Sequence, residues 1–126
     1  MEFSEMIPIA LDTGRERLHR ADMIRRLNDA FRRTFVSSHV IATRSIMLLP
    51  PDERASVFQA VREHETFAAE DDPFGEHEFG AVTRNGVRYF WKIDYYNLDL
   101  NGASPDPADC AFTVRFMTIM TAGEHR

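Results

Sequence analysis

The chain has 126 residues, 44% of them hydrophobic and 28% charged, with a formal net charge of −5 and a single cysteine, Cys110. That length suits one domain burying roughly two thirds of its unfolded surface, so a core needs no metal, and one cysteine excludes an intramolecular disulfide. The acidic balance argues against general nucleic-acid binding, which requires a basic face for phosphate, and no run approaches the ~18 apolar residues of a membrane span.

The opening MEFSEMIPIALD lacks the basic start and long apolar run of a secretory leader, and with a lone cysteine it points to a reducing cytoplasm. Charge is segregated along the chain. Residues 15–33 hold seven arginines against three acids, whereas residues 63–78 hold seven acids and no Lys or Arg. Such asymmetry marks two interaction faces, or two surfaces that balance each other within one molecule.

Residues 1–12 read as an extension, 13–122 as a single domain and 123–126 as a tail. Thr13 and Glu16 have the spacing of a capping box, which predicts a helix start there. Ala21, Ile24, Leu27, Phe31 and Phe35 then recur at helical steps as one buried stripe. Ser37-Ser38 should end this helix. Val40–Thr43 is β-prone, predicting a short strand over 39–44. Pro50-Pro51-Asp52-Glu53 is a helix entry, with proline in the first turn and two acids at the positive end of the dipole. That second helix is expected to reach about Phe67, with an acidic loop over 68–73.

The pattern then changes to that of a sheet. Asn85-Gly86 between two β-prone runs is a hairpin signal, because both residues tolerate positive φ in a two-residue turn. Pairing Arg84 with Val87 fixes the register outward through Gly80 opposite Trp91, Phe79 opposite Lys92 and, at the open end, His77 opposite Asp94. A loop over 97–109 and a last strand from Ala111 to about Thr121 complete the chain. The fold class is α+β, with two helices packed on one face of a three- to four-stranded antiparallel sheet built on this central β-hairpin.

Several segments carry a family likeness. These are Leu27–Arg32, Asp71-Asp72-Pro73-Phe74-Gly75-Glu76-His77-Glu78-Phe79-Gly80, Tyr89–Tyr96, Asp106–Asp109 and Thr118–Met120. Together they resemble the domain-of-unknown-function family 3768 of proteobacteria over about residues 20–121. The resemblance implies a small bacterial accessory protein, often borne on plasmids or other mobile elements. It carries no activity, cofactor or catalytic residue across.

The polar end of the hairpin is the constellation with chemical potential. His77 paired with Asp94, with Lys92 on the same face and Glu78 beside it, is either an oriented general base or an ion pair closing the hairpin. Those four residues are the candidate catalytic set of a small acid/base, hydrolase-like enzyme. Asp72, Glu76, Tyr95, Tyr96, Trp91, Arg25 and Arg32 are candidate binding residues, as acids, aromatics and arginines suited to a protein interface. No cofactor fingerprint is present, and the dispersed histidines lack metal-ligand spacing. The leading expectation is a non-enzymatic protein-interaction module, engaging a host or plasmid protein through the acidic loop and hairpin or through the arginine face. Direct nucleic-acid and membrane binding are not expected; self-association is open.

Overall fold

The structure, a computed structural model, describes residues 2–125, with side chains from Arg15 onward. Helix α1 spans Glu2–Thr34, and β1 (Val40–Ala42), a short α2 (Arg44–Met47) and α3 (Pro51–Glu63) follow. The hairpin strands β2 (Phe79–Arg84) and β3 (Val87–Tyr96) come next, and β4 (Val114–Thr121) is last. Three helices thus accompany one four-stranded sheet of order β1-β4-β3-β2, an α+β fold. No described helix is long and apolar enough to cross a membrane.

The hairpin register is the one that Asn85-Gly86 imposes, from Arg84 opposite Val87 to Phe79 opposite Lys92. Both turn residues have positive φ, 52° and 77°. Gly80 faces Trp91 so closely that a Cβ at Gly80 would lie 2.6 Å from the indole, so only glycine fits. The sheet departs from expectation in one respect. It is mixed rather than antiparallel, because β1 runs parallel to β4, with Val40 opposite Met117 and Ala42 opposite Ile119. Local periodicity announces a strand but not its direction relative to a partner more than seventy residues away.

Alternation along the paired strands sorts the side chains into two faces. Val82, Tyr89, Trp91, Ile93, Met117 and Ile119 form the inner face, which packs with Ile46 of α2 and with Val57, Ala60 and Val61 of α3 as one buried core. Phe31 and Phe35 extend this core toward α1. The opposite face carries Ile41, Phe79, Phe90, Lys92, Asp94, Tyr96 and Phe116, all exposed or half-buried.

Three boundaries shift from the sequence expectation. Thr13 and Glu16 lie inside α1 instead of capping it, since Thr-x-x-Glu is equally compatible with a helix surface. The same helix stops at Thr34 rather than at the serines. Phe35 takes a left-handed conformation with φ 54°, held there by its ring against Phe58 (5.3 Å) and by the Arg62 guanidinium above it (5.2 Å). Helix α3 ends at Glu63, short of Phe67, because the buried side chain of Arg32 occupies its terminal carbonyls.

Candidate functional site: the acidic loop and its buried polar anchor

The inner face of α1 is not purely apolar. Ile24, Asn28 and Arg32 follow one another at four-residue steps and are all but completely buried, so two polar groups enter the interior. Their hydrogen bonds explain how burial is tolerated. Arg32 Nη1 donates to the carbonyls of Val61 (2.8 Å) and Arg62 (3.2 Å), and Nη2 donates to Asp29 Oδ1 at 3.0 Å. A cation at the end of α3 also meets the negative end of that helix dipole. The guanidinium lies over Trp91 at 4.9 Å and near Phe67 at 5.7 Å, a desolvated cation–π arrangement. Asn28 Nδ2 donates to the Tyr95 hydroxyl (2.8 Å) and the Glu76 carbonyl (3.0 Å), while its Oδ1 accepts from Arg115 Nε (2.7 Å). Burial pushes the Tyr95 phenol up, well beyond its usual range.

This network ties the 64–78 loop to α1, and His77 is its clasp. His77 has φ 55°, so the chain turns at His77 and the strand begins only at Phe79. Its Nδ1 is 2.9 Å from Asp29 Oδ1, its Nε2 is 3.5 Å from Asp72 Oδ2, and its backbone N–H donates to Asp72 Oδ1 at 2.9 Å. The ring stacks on Phe67, centroids 3.7 Å apart and planes 4° from parallel. Behind it, His64 packs edge-on against Phe67 and Trp91. Burial first, then the charge of Arg32, lowers the pKa of His64.

The cross-strand pairing of His77 with Asp94 is therefore not formed. Asp94 instead lies on the outer sheet face, 3.4 Å from Lys92. The four candidate catalytic residues divide among three places. His77 is clasped between Asp29 and Asp72, Glu78 lines a cleft in the acidic loop, and Lys92 with Asp94 sits on the sheet. Among the candidate binding residues, Asp72 and Glu76 line that cleft, while Trp91 and Arg32 are fully buried and serve the core. Tyr95 belongs to the buried network, Tyr96 is exposed on the outer face, and Arg25 pairs with Asp22 on α1. Asn28, Asp29 and Arg115 were not expected at the site. The four-residue step from Ile24 through Asn28 to Arg32 is the sequence signal for the first.

The cleft has a volume of about 190 Å³ and is lined by Asp71, Asp72, Pro73, Phe74, Glu76, Glu78 and Phe79. The Glu78 carboxyl is pushed up to about 7, chiefly by burial and then by its hydrogen bond to Glu76 and the charges of Glu76, Asp72 and Asp94. Glu78 therefore holds its proton through weakly acidic conditions and ionises near neutrality. At the rim, Phe74 is 75% exposed. The wall is thus acidic, with an unshielded ring beside it. No group of three or more His, Cys, Asp or Glu among the described residues is placed to hold a metal ion.

Neither the curated proteins nor the solved structures contain a significant match to the chain. A family profile described as a protein of unknown function, DUF3768, matches residues 42–124, which takes in the acidic loop, the hairpin and β4. With more than half of its length matched, the chain belongs to the DUF3768 family.

Proposed function

We propose that the chain is a non-enzymatic protein-interaction module, a small cytoplasmic bacterial accessory protein that receives a lysine or arginine side chain of its partner in the cleft of the acidic loop. The observation that carries this reading is the cleft itself: four acidic residues line about 190 Å³, with exposed Phe74 at the rim. That volume falls below the roughly 300–1,000 Å³ of small-molecule pockets and suits a single side chain better than a free metabolite. Carboxylates attract an ammonium or guanidinium, and an exposed aromatic ring can cover its stem or bind its cationic face. Opposed charge gives fast, salt-sensitive association.

The clasp of His77 supports the same reading. Both ring nitrogens face carboxylates that hold the loop in place, an arrangement suited to rigidity. A preorganised loop loses little freedom on binding.

The experiment is retention of a partner from a bacterial lysate on the immobilised chain at low salt, beside Phe74→Ala and the Glu76→Gln, Glu78→Gln double variant. The expected result is a protein held by the wild type, released by salt and lost with both variants. Nothing retained at low salt, or equal retention by the variants, contradicts the proposal.

A further inference from the structure

Arg115 differs from the other buried arginine in what surrounds its charge. Arg32 is balanced by Asp29 at 3.0 Å. Arg115, on the inner face of β4 and only 7% exposed, has neutral partners alone. Its Nε donates to Asn28 Oδ1 (2.7 Å), its Nη2 donates to the Pro107 carbonyl, and its guanidinium lies over the Tyr95 ring at 5.0 Å. Among the described residues no carboxylate forms an ion pair with it, and its Nη1 makes no hydrogen bond. A buried charge is ordinarily paired with an opposite one, because taking it out of water alone is costly.

The missing counter-charge has a place to sit. Arg115 lines a groove of about 290 Å³, to which α1 contributes Leu27 and Phe31, the segment leading into β4 contributes Cys110 and Val114, and the turn before β1 contributes His39. The groove shares Leu27 and Cys110 with a neighbouring depression of about 450 Å³ that reaches the Arg20–Asp106 ion pair. Together they come within the roughly 300–1,000 Å³ of small-molecule pockets. A mostly apolar lining with one buried cation fits a monoanion carried on a hydrocarbon body. Phosphate fits poorly, because its oxygens would outnumber the donors that Arg115 Nη1 and the His39 ring supply.

We propose that this groove binds a small organic acid, its carboxylate on Arg115 and its apolar body along Leu27, Phe31 and Val114. The site is separate from the acidic cleft, and its failure would leave the cation-binding reading untouched.

The test is an NMR titration with hexanoate, beside hexanamide and inorganic phosphate, and with thermal melting of each variant as a check on folding. Hexanoate should give saturable amide shifts centred on residues 110–115 and on 27–31. Hexanamide should bind about tenfold or more weakly, the worth of one charge-assisted hydrogen bond. Cys110 supplies a second readout: as the only cysteine and a lining residue, its alkylation by iodoacetamide should slow at saturating hexanoate. Arg115→Met should lose the preference for hexanoate over hexanamide. Leu27→Glu, which leaves the Asn28 network intact and puts a carboxylate on the wall, should abolish hexanoate binding. No saturable shift in the groove, equal binding of acid and amide, or retention by Leu27→Glu overturns the proposal. So does phosphate binding there as tightly as hexanoate, or N-acetyl-leucyl-leucine binding more tightly, which would assign the groove to a protein chain end.

Discussion

Gly80 shows how one residue is dictated by its neighbour across the sheet. The indole of Trp91 fills the space that a side chain would take, and Trp91 is completely buried, so it has nowhere to move. Gly80→Ala should lower stability by about 1–3 kcal/mol, as overpacking does, measurable by denaturant unfolding. Trp91→Phe in the same chain should recover part of that loss, because the two positions share one volume. Glu78 makes a second prediction at this scale. Its folded pKa of about 7 lies above the value it has unfolded, so between those two values the unfolded chain binds fewer protons than the folded one. Its contribution to stability is therefore complete at low pH and lost as pH rises toward 7. Glu78→Gln should raise the melting temperature at pH 8 relative to the wild type, and the difference should vanish at pH 4. An unchanged difference between the two pH values would place the Glu78 proton elsewhere.

At the scale of elements, the two ends of the hairpin differ in how they are fixed. The turn end is set by Asn85-Gly86, two adjacent residues with one permissive geometry, and that is why its register is legible in the sequence. The open end is set by contacts across long separations: His77 to Asp29, Asn28 to Glu76, Arg115 to Asn28. No local pattern records those partners. Alternation carried one step beyond Glu78, whose carbonyl still accepts from Ile93 N–H at 2.8 Å, puts His77 opposite Asp94. The positive φ of His77 ends the alternation there. His77→Ala should accordingly lower stability by about 1–3 kcal/mol, the loss expected when hydrogen bonds to charged groups are removed. An oriented general base would lose activity with little change in stability; a clasp loses stability itself. The direction of β1 was equally illegible, since its partner β4 lies at the far end of the chain. The apolar periodicity of α1 marks Ile24, which is buried, and Phe31 and Phe35, which pack on the core. Asn28 and Arg32, on the same face, were hidden by their polarity.

For the whole molecule, the two oppositely charged segments of the sequence, the arginine-rich helix and the acidic loop, are in direct contact. Asp29, from the arginine-rich helix, meets His77 of the acidic loop, and Arg32 caps α3 just before that loop begins. The loop is thereby anchored from beneath, and Asp71, Asp72, Glu76 and Glu78 line its cleft. Because a bound cation favours the ionised form of Glu78, affinity should rise as pH passes upward through about 7. The most direct measurement is an NMR titration of the chain with N-acetyl-arginine amide at pH 8 and at pH 6, in low and high salt. The predicted result is a set of amide shifts confined to residues 71–79, larger at pH 8 and suppressed by salt. Shifts spread evenly over the surface, or none in the acidic loop at pH 8 and low salt, would contradict a cation-binding cleft.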